Sequence, residues 1–343
     1  MNNMKRWRVA LGRGIVTILL LTIIAGILYE QVGRQHAARE YPPPGQLVDI
    51  GGRRLQIDCR GSGSPTVVFE SGLDLNGSLS WSFVHQQIAE QTTRACAYSR
   101  AGILWSDPPT APQTGKAVVH DLHAALSVLG ERGPFVLVGH SLGGAYIMTY
   151  TKYFGPEVAG VVFVDASHPD QEQRFKSLNL PESSAETYLF KAGAALNWTG
   201  IVRAVAPFYD RDPHQPVHDD RIVKAYASTS LGPMMNEQDA LQQTLAEAGT
   251  FRDLGDRPVV VLTAVKPLPP ELLAELHWSE EQGQEILDIV KQLHEEQAAW
   301  SSNSRHQLVA DAGHYIQFDR PDVVIAAIQS VVESVRVQRR MKP

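Results

Sequence analysis

The sequence predicts an α/β fold built on a mostly parallel sheet with helices on both faces. Three observations carry this. Short β-branched apolar runs, as at residues 66–69, 161–164 and 258–262, alternate with amphipathic stretches; strands buried on both faces read as continuous apolar runs. Two alternating runs, 46–50 and 53–59, flank Gly51-Gly52 and read as an opening hairpin. A third apolar run, starting at Phe135, stops at Gly139-His140-Ser141-Leu142-Gly143, immediately before a helical stretch. A serine on so tight a strand-to-helix turn sits in a strained backbone conformation, and the flanking glycines remove the Cβ atoms that would clash.

Taken in order, residues 66–69 form a strand, a glycine-bearing loop and a helix near 80–91 follow, and 94–98 form the next strand. Residues 116–129 place apolar side chains at 118, 119, 122, 125, 126 and 129, one face of a helix. The strand at 135 passes through the turn into a helix over 142–154, and strands at 161–164 and 258–262 follow. Ser279 with Gln282 has the pattern of a capping box, opening a helix whose Ile286, Val290 and Leu293 face one way. Residues 305–310 are the last strand and 321–335 the last helix, with Pro321 in its first turn. Between Asp165 and Asp256 the alternation lapses into helix formers; the stretch is too long for a loop and reads as a helical insertion. Its Trp198, Phe208, Tyr209, Met234 and Met235 either shape a pocket or form the insertion's own small core.

The chain has 343 residues, 43% hydrophobic and 20% charged, enough apolar material for a large core. A net charge of −6 provides no basic field for nucleic acid. Two cysteines exclude a disulfide-dense scaffold and a cysteine-rich zinc module. The N-terminus stands apart. Lys5, Arg6, Arg8 and Arg13 precede an uncharged stretch over 14–29, and counting from Val9 gives a membrane span through residues 9–29. No clean small-x-small cleavage site follows, so an uncleaved anchor is expected ahead of a cleaved signal peptide that would release a secreted protein. Basic residues before the span place residues 30 onward outside the cytoplasm. Tyr41-Pro42-Pro43-Pro44-Gly45 reads as a stiff linker separating anchor from fold. The expected organisation is therefore anchor (or signal peptide) and linker over 1–40, core over 41–166 and 255–343, and the insertion over 167–254.

Serine alone is a weak nucleophile and needs a base within reach, with a third group to orient that base. Ser141 sits at a helix N-terminus, which favours developing negative charge. Of the twelve histidines, His314 in Ala312-Gly313-His314 directly follows the last strand, on the side of an open sheet where catalytic groups collect. His120 and His123 lie on an amphipathic helix and are not read as a metal pair; His140 is read as lining the pocket with Gly72.

With Gly139-His140-Ser141-Leu142-Gly143-Gly144, the segment from Ala312 to Pro321, and the order Ser, Asp, His, residues of about 45–340 resemble the serine-nucleophile, esterase- and lipase-like branch of the α/β-hydrolase superfamily. The resemblance implies an eight-stranded sheet, with the insertion after the sixth strand as a helical cap. It also implies an oxyanion hole from the Leu73 and Leu142 N–H groups. Two departures stand out. Serine (Ser71) replaces the histidine common before Gly72, and Glu70 beside it is expected to be tied up by an arginine such as Arg100. No carboxylate follows the seventh strand, where Pro267 stands in the acid's place. Some branches place the acid after the sixth strand, which nominates Asp165, with Glu271 and Asp311 as weaker alternatives. The superfamily strand order would set Cys59 beside Cys96, as a disulfide or as two buried thiols. No metal or cofactor is implied. The expected activity is hydrolysis of a small-molecule ester or lipid-like substrate through an acyl-enzyme. Amide, thioester or carbon–carbon hydrolysis stays open, as does a catalytically inactive binding protein.

Overall fold

The computed structural model describes residues 2–176, 178, 184–210 and 213–341. Eight strands form one sheet: β1 (Gln46–Asp49), β2 (Arg54–Arg60), β3 (Thr66–Glu70), β4 (Ala95–Ser99), β5 (Phe135–His140), β6 (Val158–Val164), β7 (Gly255–Ala264) and β8 (Ser301–Val309), in the order β1-β2-β4-β3-β5-β6-β7-β8. The hairpin β1–β2 and the pair β2–β4 are antiparallel, and every other pairing is parallel.

The period of two along each strand sorts the core into two halves. Phe135, Leu137, Val161, Phe163, Val259 and Val261 face one helical layer, where Val118, Leu122, Leu126, Ala145 and Met148 meet them. Val136, Val138, Val162, Val164, Val260 and Leu262 face the other, against Val84, Ile88, Val324, Ile328 and Val332. The helices Gly115–Val128 and Gly143–Phe154 therefore cover one face, and Ser82–Gln91 and Pro321–Met341 the other. The expected capping box forms: Ser279 Oγ accepts from the Gln282 N–H at 3.1 Å while Gln282 Oε1 accepts from the Ser279 N–H at 2.8 Å. Cys59 lies directly opposite Cys96 across β2 and β4, and the two are joined as a disulfide.

Between β6 and β7 the chain is helical: Gln171–Lys176, Ser184–Ala195, Ile201–Val205, Val217–Asp239 and Leu241–Gly249. Residues 177, 179–183 and 211–212 of the expected insertion lie outside the described residues, as do Met1 of the anchor and residues 342–343. Leu245 and Ala248 are buried in the sheet's own core, so the last of these helices packs with the core layer. Met235 is buried, whereas Trp198, Phe208 and Tyr209 are exposed at 46%, 84% and 50%. Among the described residues these aromatics are exposed and are not buried in a cap core, Tyr209 stacking on Phe190 with ring centroids 6.2 Å apart.

The N-terminal region differs from the expectation of an anchor held off by a linker. One unbroken helix, Asn2–Glu40, is exposed all round over residues 10–25 and then docks on the cap. A side chain on Gly26 would collide with the Thr199 carbonyl, so only glycine allows this approach. One turn further, Glu30 is fully buried and accepts hydrogen bonds from Arg203 Nε (2.9 Å), Arg34 Nε (2.7 Å) and Ser228 Oγ (2.8 Å). In sequence Glu30 looks like the polar end of an apolar stretch; in space it is the partner of a cap arginine. The linker is pinned as well, its Tyr41 carbonyl accepting from Trp105 Nε1 (2.8 Å) and the Tyr226 hydroxyl (3.0 Å).

Candidate active site

β5 ends at His140, and Ser141 turns the chain with φ 52°, a left-handed conformation that costs a non-glycine residue roughly 1–3 kcal/mol. The surroundings enforce it. Ser141 N–H donates to the Val164 carbonyl (3.3 Å), and its own carbonyl accepts from Gly144 N–H (2.9 Å) and Ser167 N–H (2.7 Å). A Cβ on Gly143 would lie 2.5 Å from the Glu70 carbonyl oxygen, so that glycine lets the loop after β3 lie against the start of the helix. Ser141 thus stands, partly exposed, at the N-terminus of Gly143–Phe154, where the peptide dipoles favour negative charge.

Asp165 follows β6, also with positive φ (43°). Its Oδ2 accepts from His314 Nδ1 at 2.7 Å and its Oδ1 from the Ala264 N–H at 2.9 Å. The end of β7, which lacks a carboxylate, therefore supplies a backbone donor to the acid on β6. Burial works to raise the Asp165 pKa, but the hydrogen bond and charge of His314 outweigh it and hold the carboxyl below its ordinary range. Desolvation works to lower the His314 pKa, but the bond to Asp165 and its charge hold it above the ordinary value. The ring is half-exposed, so solvent tempers the effect. With Nδ1–H committed to Asp165, Nε2 is left to accept.

His140, expected along the pocket, is instead fully buried. Its Nε2 donates to the His314 carbonyl (2.9 Å), and its ring lies 4.7 Å from that of His314 and 4.8 Å from that of Tyr315. Burial, then the charge of His314, pushes it down to about 3, so the ring stays neutral. It holds the loop that carries His314. Gly72 is likewise buried; a Cβ there would lie 3.0 Å from His140 Nδ1 and 3.0 Å from Ser141 Cβ. That contact links the loop after β3 to the turn at Ser141.

Among the described residues, neither the Leu73 nor the Leu142 N–H donates to a protein acceptor, whereas Asp74 N–H donates to the Gly72 carbonyl at 3.0 Å. The loop carrying Leu73 is held from below by Arg100, which donates to Glu70 Oε1 (2.8 Å), the Ser71 carbonyl (2.8 Å) and the Gly72 carbonyl (2.6 Å). The expected pairing with Glu70 is thus present, and Glu70 also accepts from the Tyr98 hydroxyl at 2.5 Å. Burial, only partly offset by Arg100 and Tyr98, leaves Glu70 pushed up to about 7. A third member, Glu237 on Val217–Asp239, had no local signature in the sequence. It is fully buried and accepts from both Arg100 Nε (2.9 Å) and Nη2 (2.8 Å).

The other candidates fall elsewhere. Asp311 pairs with Arg320 at 2.5 Å, and Glu271 is exposed in the first turn of Pro270–Leu276. His123 stacks on Phe154 at 3.8 Å, and His120 packs 5.4 Å from Tyr153. His168, Asp170 and Glu296 approach one another, but Asp170 is paired with Arg252 and Glu296 with Arg174, which compensates the charge a cation would need.

A family model described as the Alpha/beta hydrolase family matches residues 60–327, and the chain belongs to that family of hydrolases. A protein of Hormonema carpetanum described as a probable transporter, efuK, is 26% identical over 318 residues, covering 85% of this chain and 43% of that one. The chain spans half or less of the length of the first curated relatives it matches. Among solved structures it is similar to a thermophilic esterase from Thermogutta terrifontis, with a TM-score of 0.54 and 19% identity over 84% of this chain and 97% of that one. It is also similar to an epoxide hydrolase from Bacillus megaterium, with a TM-score of 0.59 and 14% identity over 84% and 100%. At these identities the likeness is one of fold.

Proposed function

We propose that the chain is a membrane-anchored serine hydrolase acting on carboxylic esters outside the cytoplasm. The carrying observation is the 2.7 Å bond from His314 to Asp165, at the sheet edge where Ser141 occupies its left-handed turn. Ser141 Oγ attacks the ester carbonyl carbon while His314 Nε2 takes its proton, and Asp165 orients the ring and stabilises the imidazolium. The oxyanion sits against the Leu73 and Leu142 N–H groups, each such donor being worth about 3 kcal/mol in the transition state. Collapse expels the alcohol, which leaves with the proton from His314, and a water repeats the sequence to free the acid and Ser141. Serine at the turn favours an ester over an epoxide, whose hydrolases in this superfamily use aspartate there.

The disulfide Cys59–Cys96 supports an oxidising compartment, in agreement with the basic residues ahead of the span. A fluorophosphonate probe and short p-nitrophenyl esters test the chemistry. Wild type labels and turns over, whereas Ser141→Ala loses labelling and about 10⁶-fold in kcat. A folded wild type that neither labels nor hydrolyses overturns the reading and leaves a binding protein.

A further inference from the structure

The span expected from the sequence, residues 9–29, reaches its outer end where the helix meets the cap. Residues 10–25 of the helix Asn2–Glu40 are exposed all round, and crossing takes about 20 residues. Residues 26–29 complete the span, and among them Gly26 and Tyr29 touch the cap. A Cβ on Gly200 would lie 2.8 Å from the Gly26 carbonyl oxygen and 2.9 Å from the Tyr29 ring. The cap at Gly200 therefore stands at the same depth as the outer end of the span.

The surface beside that contact is apolar. Trp198, Ile201, Val205 and Phe208 are exposed at 46%, 49%, 47% and 84%, and Ile201 and Val205 share one face of Ile201–Val205. The Trp198 indole N–H is satisfied by the Ala195 carbonyl at 3.1 Å, leaving the ring free to lie among headgroups. The nearby charge of Arg203 is turned inward onto Glu30 and withdrawn from this surface. Several large apolar side chains left exposed on one short stretch of chain mark an interaction site.

We infer that this edge of the cap is seated in the lipid headgroup and upper acyl region of the membrane that the N-terminal helix crosses, as a second contact beside the span. The inference rests on the membrane-anchored reading above. The span fixes the height of the patch, and the Glu30–Arg203 network fixes its orientation. The catalytic domain is then held with one cap edge in the lipid and is not free to tumble on a tether.

The test uses the full chain reconstituted in phosphatidylcholine vesicles with the disulfide intact. Single cysteines are introduced by Leu19→Cys, Ile201→Cys, Phe208→Cys and, at the exposed end of the core helix Gly115–Val128, Val128→Cys, and each carries an environment-sensitive fluorophore. Lipids bearing nitroxide groups are the quencher. The expected result is loss of most emission at 19, 201 and 208, with 128 unchanged. Quenching at 19 without quenching at 201 and 208 overturns the inference while leaving the anchor in place. No quenching at 19 removes the anchor reading itself. Ester turnover by each labelled variant reports that it is folded.

Discussion

Arg100 holds Glu237 through two parallel hydrogen bonds of 2.9 and 2.8 Å, both partners being buried, and with the same guanidinium holds Glu70 and the backbone at Ser71 and Gly72. One side chain thus joins the longest cap helix to the loop that presents the Leu73 N–H.

Removing that cation leaves two buried carboxylates without a counter-charge, Glu70 keeping only the Tyr98 hydroxyl. Arg100→Ala is expected to cost about 3–5 kcal/mol of stability, the usual penalty for breaking a buried ion pair from one side. Urea unfolding followed by far-UV circular dichroism measures it. A loss below about 1 kcal/mol, the scale of an exposed pair, would mean that the cluster is not the buried junction described here.

In the proposed reaction the Asp165–His314 pair sets the pH profile. His314 must be neutral at Nε2 to act as base, and Asp165 raises its pKa, so the acid limb of kcat/KM is expected above the ordinary imidazole value of 6.5. Asp165→Asn should move the limb down and lower kcat by about ten-thousand-fold, as a wrong tautomer does in serine proteases. Stability follows with the opposite dependence for each partner. The lowered carboxyl contributes above its unfolded value of 3.8 and loses its contribution as pH falls through the folded pKa. The raised imidazole contributes fully below 6.5 and loses its contribution as pH rises through its folded pKa. Thermal melts across pH should place the pair's contribution between these limits, and a flat difference between wild type and Asp165→Asn would contradict it.

Glu30 locks the N-terminal helix to the cap. Glu30→Ala leaves the largely buried Arg203 without its carboxylate and should release the end of the helix from Val217–Asp239. Hydrogen exchange is the appropriate readout: amides of residues 26–40 should exchange faster in the variant, with β5 and β6 unchanged. Equal protection in both proteins would show that packing at Gly26 and Ala37 suffices.

The disulfide closes a loop with a sequence separation of 37 residues. Its reduction should lower stability by about 2–4 kcal/mol. Maleimide labelling of the denatured protein, taken directly from its host cells, checks the compartment as well. Protected thiols agree with an extracytoplasmic domain, and two reactive thiols at full expression speak against one.

Much of this architecture was readable because short-range physics dictates it. The period of two that divides Val136 and Val138 from Phe135 and Leu137, the glycines around Ser141 and the capping box at Ser279 are all local patterns. Glu70 with Arg100 was readable because a lone buried carboxylate demands a cation. Glu237 was not, since nothing in its helix distinguishes it from a solvated charge until the cap folds over Arg100. The docking of residues 26–40 escaped for the same reason. His140 looked like a pocket wall because its neighbour Ser141 faces the site; its burial follows from the ring turning beneath the His314 loop.

The support that Ala264 lends Asp165 comes from the main chain. Serine or cysteine at 264 should therefore leave the carboxylate's footing unchanged, because a backbone amide is indifferent to what hangs from the next carbon. Proline alone lacks the hydrogen that makes the tie. At that one strand end, the carboxylate depends on the peptide unit and almost nothing on the letter written there.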